Sequence, residues 1–500
     1  MTTHSDLRKQ IDNLVPAEAT GLFVGGQWRD ASGGGHFAVT DPSDGETLRE
    51  VADAAVEDGV AALDAAVAAQ SDWAATPPRE RSDILRRAFD LLIERTEEFA
   101  ALMTLEMGKS LEESRGEVAY GAEFLRWFSE EAVRLEGRMV PAPAGGSTIL
   151  TRRKPVGPVL AITPWNFPLA MATRKVGPAL AAGCTVVLKP ASATPLTSMA
   201  LMEVLREAGV PDGVVNCVTT TNTSEVMGRL ISDDRLRKLT FTGSTPVGRA
   251  LQGQAAETLL RTSMELGGNA PFVVLADADL EQAVEGAMAA KFRNIGQACT
   301  AANRFIVVRE VAEEFATRFA AAAAERSVGR GGDEGADLGP LIDADGLGKV
   351  TELVADALDQ GATVLAGGPQ ACEELRTGLP EGGSWYPPTV LGDVPAGARI
   401  LSEEVFGPVA PIQVVDGEAE ALAAANDTEF GLVGFVYSRD VSRLMAFAER
   451  MQTGMVGLNM GVVSQPAAPF GGVKQSGLGR EGGHEGVEEY LEVQYLGLAD

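Results

Sequence analysis

Histidine and cysteine are both scarce in this chain, with three of the first and four of the second among 500 residues. The cysteines, Cys184, Cys217, Cys299 and Cys372, are widely spaced, form no C-x-x-C pair and have no histidine nearby. That opposes both a disulfide framework and a zinc site, so no metal is expected. His4 falls in an N-terminal stretch expected to be frayed, His36 in a glycine-rich loop and His484 near the C-terminal tail. No protease-type Cys-His pair is therefore expected. No run of eighteen apolar residues occurs, and Met1-Thr2-Thr3-His4-Ser5-Asp6 has no basic stretch leading into an apolar one. The expected compartment is the cytoplasm, with no membrane contact. Basic residues are outnumbered, 42 Lys and Arg against 70 Asp and Glu, giving a formal charge of -28. Such a surface attracts neither a phosphate backbone nor anionic lipid, so an anionic ligand needs a cationic pocket of its own. The glycine-rich G-x-G-x-x-G and G-x-x-x-x-G-K-[ST] nucleotide signatures are missing too.

What is present is an ordinary globular composition, 45% hydrophobic and 22% charged, at a length that suits two to four domains. Phe23-Val24-Gly25-Gly26-Gln27-Trp28 reads as a strand turning at two glycines, and the stretches from Val56 to Arg134 read as amphipathic helices. Val140-Pro141-Ala142-Pro143-Ala144-Gly145-Gly146 is too rich in proline and glycine for helix and reads as the arm of a protruding hairpin. Apolar β-rich runs follow at Val159 to Thr163, Thr185 to Leu188, Val214 to Val218 and Lys238 to Phe241, alternating with helical stretches. That alternation predicts an α/β fold with a doubly wound parallel sheet. From about Gly268 the pattern restarts with Pro271-Phe272-Val273-Val274-Leu275 and continues to about Gly479, predicting a second α/β domain. No internal repeat occurs, and the simple run Ala320 to Ala324 reads as surface helix.

Three fragments carry chemistry. Thr240-Phe241-Thr242-Gly243-Ser244-Thr245-Pro246-Val247-Gly248 runs from strand into helix, with Ser or Thr as N-cap and Pro in the first turn. Its free N–H groups suit a phosphate, although a plain capped helix accounts for the fragment equally well. In Val186-Val187-Leu188-Lys189-Pro190-Ala191-Ser192 a lysine leaves the carboxyl end of a strand, where open α/β sheets take ligands; lone lysines there are usually solvated. Cys299, in Gly296-Gln297-Ala298-Cys299-Thr300, follows Glu265-Leu266-Gly267-Gly268-Asn269. A free thiol of pKa about 8.5 is only a few per cent thiolate at neutral pH, so it needs a base. Glu265 is that base, and thiol with carboxylate suits formation and hydrolysis of a thioester.

Taken together with Thr163-Pro164-Trp165-Asn166-Phe167-Pro168, Leu188-Lys189-Pro190-Ala191, Glu403-Glu404-Val405-Phe406-Gly407-Pro408 and Pro469-Phe470-Gly471-Gly472-Val473-Lys474, these blocks resemble the aldehyde dehydrogenase superfamily in order and spacing, from about residue 20 to the end. The resemblance implies a Rossmann-type dinucleotide-binding domain (20–133 and 156–267), a second α/β catalytic domain (268–480) and a small β oligomerisation element (134–155 and 481–500). The C-terminal strand Tyr490 to Leu496 would add to a partner's sheet edge, giving a homodimer or homotetramer. It also implies roles. Cys299 attacks the aldehyde, Asn166 and the Cys299 N–H stabilise the oxyanion, and Glu265 activates water. Thr163, Pro164, Trp165, Lys189, Ser192, Gly243, Ser244, Glu404 and Phe406 hold the dinucleotide. At position 192 NAD-specific relatives often carry glutamate; Ser192 accommodates a 2'-phosphate, so NADP or NAD is expected. Ala301 stands where some relatives have a second cysteine, so no disulfide switch can form there.

Arg174 and Arg293, with Ser464, are similar to the carboxylate-binding set of succinate-semialdehyde dehydrogenases, with Phe167 and Phe470 flanking a short aliphatic chain. An arginine takes a carboxylate bidentately, and a charged hydrogen bond of about 1.5 to 3 kcal/mol gives tenfold or more in discrimination. The alternative is that both arginines pair with acidic residues at a domain interface, and that both phenylalanines are core. The expected substrate is succinate semialdehyde, oxidised to succinate. Glutarate semialdehyde or a broader range of aldehydes stands as the alternative, and a non-catalytic descendant of the fold as a remote one. CoA-dependent acylation is disfavoured because it needs no Glu265.

Overall fold

The runs expected as strands at Val159, Thr185, Val214 and Lys238 form Val159–Ile162, Val186–Lys189, Val215–Cys217 and Lys238–Thr242 in a computed structural model that describes residues 4–9 and 11–499. With Arg261–Glu265 they lie parallel, and the four runs foreseen are buried along their whole length, which is why, Asn216 and Lys238 aside, they read as apolar or β-branched stretches rather than alternating ones. The hairpin Leu22–Val24 and Gln27–Arg29 extends one edge of this sheet. Its two turn residues, Gly25 and Gly26, take φ of +61° and +83°, the left-handed pair that a two-residue hairpin loop requires.

Chain order reverses beside Val159–Ile162, with Val186–Lys189 on one flank and Lys238–Thr242 on the other. A reversal of this kind opens a crevice at the carboxyl ends of the strands. The second sheet has seven strands around Ala302–Val308 and Ala270–Val274. The ring of Phe272 at its centre lies 5.2 Å from Phe305, 5.9 Å from Phe435 and 4.8 Å from Tyr437. Only residues 266–269 separate the last residue of Arg261–Glu265 in the first sheet from the first of Ala270–Val274 in the second. The chain returns at Gly477–Leu478, which pairs antiparallel with Arg261–Glu265, ahead of the boundary expected at residue 480.

The hairpin arm is present as Arg138–Pro141 and Ser147–Pro155. The C-terminal strand, Leu491–Ala499, pairs first with Ser147–Pro155 of its own chain, making a three-stranded sheet.

Two local expectations are corrected. His4 lies in the helix His4–Arg8, buried, with Nε2 2.7 Å from Asp41 Oδ2, so a hydrogen-bonding partner ties down a segment expected to fray. The helix Thr96–Met107 is not amphipathic, since every residue from Phe99 to Met107 is buried. Its Glu106 accepts from Leu196 N and Thr197 N and so caps the helix Leu196–Glu207. The Ala320 to Ala324 run ends the helix Arg309–Ala324 as the surface helix expected, with Ala321 and Ala324 exposed and Ala320 and Ala323 facing the core with Phe315 and Phe319. Among the described residues no helix is long and apolar enough to cross a membrane.

Candidate active site

A cavity of about 410 Å³ opens at the reversal of chain order, between the two large sheets. Its walls are turns that leave strands: Pro164 to Phe167 after Val159–Ile162, Gly243 and Ser244 after Lys238–Thr242, and Glu265 to Gly267 on the link between sheets. Cys299 lines it from the second domain, just before Ala302–Val308, and is the one cysteine of the four that is not fully buried. No histidine is among the lining residues.

The Cys299 loop is bent by three consecutive residues in the left-handed region, Asn294, Ile295 and Gly296, at φ of +54°, +61° and +71°. Neither Asn nor Ile adopts that conformation without cost, so the surroundings must hold it. Glu113 Oε1 accepts from Asn294 N at 2.6 Å, and Asn294 Nδ2 donates to Asn166 O and Gln297 O, each at 3.0 Å. Behind the loop sits Gly268, where a Cβ would fall 2.4 Å from the Cys299 carbonyl oxygen. Burial pushes the Cys299 thiol up to about 12, with Arg174 opposing the shift. The resting sulfur is therefore a thiol, and a base is required to make it a nucleophile.

Asn166 is buried and donates from Nδ2 to Gln297 O at 2.9 Å. An amide nitrogen carries two hydrogens, and one is left for the cavity. Both carboxyl oxygens of Glu265 are buried without a hydrogen-bond partner in the protein. Burial and the neighbouring Glu481 hold this carboxyl well above the usual range, so once ionised it is a strong base for its type.

On the opposite wall Phe406, itself at φ of +54°, meets Trp165 edge-on at 5.4 Å. Glu404 accepts from Gly268 N at 3.2 Å and is raised to about 7 by burial. Lys189 does not line the cavity and, against the expectation for lone lysines, is not solvated: it is 6% exposed and burial alone lowers its amine to about 8. Thr163, whose N–H donates to Lys189 O, and half-buried Ser192 lie at the same strand ends, also outside the cavity lining. Ser244 is the N-cap of Thr245–Glu257 by position, yet its side chain makes no capping hydrogen bond.

Arg174 and Arg293 both reach the cavity, as do Ser464, Phe167 and Phe470. Arg174 is fully buried in the helix Pro168–Ala182 and pairs with Glu481, which also pairs with Lys175. The interface pairing considered for the arginines is thus present for Arg174, while its Nη2 remains unpartnered. Each arginine also rests on a phenylalanine, Arg174 over Phe470 at 4.1 Å and Arg293 over Phe167 at 5.4 Å. The two rings therefore do more than fill core.

Comparison with known proteins places this geometry. The aldehyde dehydrogenase family model matches residues 28–496. The chain belongs to the aldehyde dehydrogenase family. It is 58% identical over 453 residues to a succinate-semialdehyde dehydrogenase of Paenarthrobacter nicotinovorans, covering 91% of this chain and 99% of that one. It is 48% identical to a glutarate-semialdehyde dehydrogenase of Pseudomonas aeruginosa, covering 95% and 97%. A crystal structure of an Escherichia coli NADP-dependent enzyme superposes with a TM-score of 0.94 at 46% identity, covering 98% and 99%.

In this aldehyde dehydrogenase, Tyr120 is among the cavity residues that escaped the sequence reading, with Met171, Ile342, Asp343, Asp345, Gly346 and Lys349. Tyr120 lines the wall within hydrogen-bonding reach of Arg174 and Ser464. It sits on the helix Leu111–Glu131, which the hydrophobic pattern alone marks as one more packing helix. A signal was available in Glu117, a charge on the same stripe as Val118, Gly121, Phe124 and Phe128, all of them buried.

The contact behind Cys299 yields a direct test. Gly268→Ala forces the Cys299 carbonyl to move, and a displacement near 1 Å costs about 100-fold in rate. Aldehyde oxidation by a folded Gly268→Ala protein, checked by circular dichroism, is expected to fall by about that factor. Undiminished turnover would show that the loop does not need this close approach.

Proposed function

We propose that this enzyme oxidises succinate semialdehyde to succinate, with NADP or NAD as acceptor. The observation that carries the reading is the pair of guanidiniums, Arg174 and Arg293, opening with Ser464 on the cavity that holds Cys299. In a protein of charge -28 an ω-carboxylate needs a cationic contact, and these two guanidiniums supply it on a cavity that Glu265, Asp343, Asp345 and Glu404 also line. The activities for which the two relatives are named, both on aldehydes bearing a carboxylate, agree with it. The five-carbon glutarate semialdehyde is the second reading, favoured by the Pseudomonas relative.

The residues present fit a dinucleotide. Lys189 is a buried amine with no acceptor among the described residues, Thr242 Oγ1 is buried without a partner, and the Thr245–Glu257 helix begins without a side-chain cap. Gly243 and Ser244 would offer that helix end to the phosphates, and Lys189 and Ser192 would hold the adenosine ribose. Glu404 would hold the nicotinamide ribose, with Phe406, Pro164 and Trp165 beside the ring and Thr163 supporting the turn. When bound, the dinucleotide supplies the acceptor for the aldehyde hydride, which converts the Cys299 adduct into a thioester.

The chain's own groups do the rest. Arg174, Arg293 and Ser464 hold the carboxylate, and Phe167 and Phe470 border the chain between it and the aldehyde. Glu265 takes the Cys299 proton, and sulfur adds to the carbonyl carbon. The oxyanion that forms meets the free N–H of Asn166 and the Cys299 main-chain N–H; losing one such donor typically costs about 3 to 4 kcal/mol of barrier. After passing that proton to solvent, Glu265 removes a proton from the water that adds to the thioester, and the Cys299 thiolate leaves as succinate is released. Apolar side chains exposed on the three-stranded sheet, Met139, Val493, Tyr495, Leu496 and Leu498, support a homodimer or homotetramer.

Three measurements check this reading. The kcat/KM for succinate semialdehyde is expected to exceed that for butyraldehyde at least tenfold, and Arg174→Ala and Arg293→Ala are each expected to abolish the difference. Equal rates on the neutral aldehyde, unmoved by either substitution, would leave only a general aldehyde dehydrogenase. Because Glu265 acts ionised and burial with Glu481 raises its pKa, thioester hydrolysis is expected to rise with pH through a limb well above the usual carboxylate range. Glu265→Gln should remove that limb and slow hydrolysis about 100-fold or more; a persisting limb would assign the base elsewhere. Ser192→Glu is expected to lower kcat/KM with NADP at least tenfold and to affect NAD less, since a carboxylate would face the 2'-phosphate. Equal effects on both would place the phosphate away from Ser192.

A further inference from the structure

The turn that carries Asn166 is held from behind by a buried ion pair on a different segment. Lys109 is fully buried, and its Nζ donates to Glu117 Oε2 at 2.5 Å and to the Asn166 carbonyl at 2.9 Å. The other oxygen, Glu117 Oε1, accepts from Leu169 N at 3.0 Å and Ala170 N at 3.1 Å, the first free N–H groups of the helix Pro168–Ala182. Pro168 begins that helix and Phe167, its N-cap by position, makes no side-chain cap, so Glu117 supplies the anion that the helix start requires. Between these two anchors lies Phe167, whose ring is 4.3 Å from Lys109 Nζ.

We propose that Lys109 and Glu117 form a positioning pair that aims the Asn166 amide at the substrate oxygen. The inference rests on the reading of Asn166 as an oxyanion donor. A buried ion pair contributes little net stability compared with an apolar pair of the same shape, so its retention here calls for another account. Its hydrogen bonds supply one: they go to Asn166, Leu169 and Ala170, and thus fix the main chain on both sides of Phe167. A hydrogen-bond donor works in catalysis only when it is preorganised, and a shift near 1 Å forfeits about 100-fold. Neither residue lines the cavity, so they act through Asn166 and not on substrate.

The test is a double-mutant cycle read by the single-turnover rate of reduced cofactor formation with succinate semialdehyde and saturating NADP. Lys109→Met leaves a buried carboxylate unpaired, so the charge-free pair Lys109→Met with Glu117→Gln is made beside it to preserve folding. In the Asn166 background each is expected to lower the rate about 100-fold, with the dissociation constant for NADP unchanged. In the Asn166→Ala background the same changes are expected to lower it by no more than about twofold, because the donor they aim is gone. Equal losses in both backgrounds would make the pair a general structural element and overturn the proposal, as would a wild-type rate in a folded variant. A wild-type rate for Asn166→Ala alone would instead overturn the oxyanion reading, and the positioning role with it.

Discussion

Charge buried in the seam between the two large sheets is the constraint on which the rest of this site depends. An ionised group removed from water must find a partner or give up its charge. Lys109 meets Glu117, Arg174 and Lys175 meet Glu481, and Glu113 accepts from the main chain of the Cys299 loop. Each pair ties elements distant in sequence to one wall of the cavity. Glu265 is the exception, with neither oxygen bonded, and the exception defines its chemistry. The same burial that pairs its neighbours holds this carboxyl well above the usual range, where it is best suited to move a proton.

The backbone around Cys299 shows the cost of that arrangement. Asn294 and Ile295 occupy a region that β-branched residues in particular avoid, and Gly268 leaves no room for a Cβ against the Cys299 carbonyl. Strain of this kind persists only where surrounding contacts over-determine it. Here those contacts are Glu113 on Asn294 N and Asn294 Nδ2 on two carbonyls, one of them that of Asn166. The Cys299 loop and the Asn166 turn therefore share a hydrogen-bond network, so that a shift of one is felt by the other.

The strand runs of the first sheet and many residues that line the cavity were legible because they depend on local signals. Val159 to Thr163 is apolar or β-branched throughout, and so is Leu239 to Phe241 after Lys238, as suits strands buried on both faces, and their ends carry the turns that line the cavity. Cys299 stood out through the absence of any histidine to serve it. What was not legible is long-range pairing. Glu481 lies 306 residues from Lys175 and 307 from Arg174, and nothing in its own neighbourhood marks it as their counter-ion. Tyr120 and Glu117 were hidden because a helix pattern reports which stripe is buried and not what it is buried against. His4 misled for a related reason, since its order depends on Asp41 across a hairpin turn.

Glu481 also bears on how a cavity already containing an ion pair could take a second carboxylate. Glu481 divides its charge between Arg174 and Lys175, so that trio keeps one net positive charge, and half-buried Arg293 adds another from the opposite segment. The Arg174 Nε pairs with Glu481 while Nη2 stays without a hydrogen-bond partner, and the guanidinium carbon lies 4.1 Å from the centre of the Phe470 ring. Had Glu481 paired with Arg174 alone, the charge would have been cancelled and the arginine reduced to a strut between domains. Sharing it with Lys175 keeps Arg174 oriented and cationic together, the two properties that a carboxylate-binding arginine needs in an otherwise acidic protein.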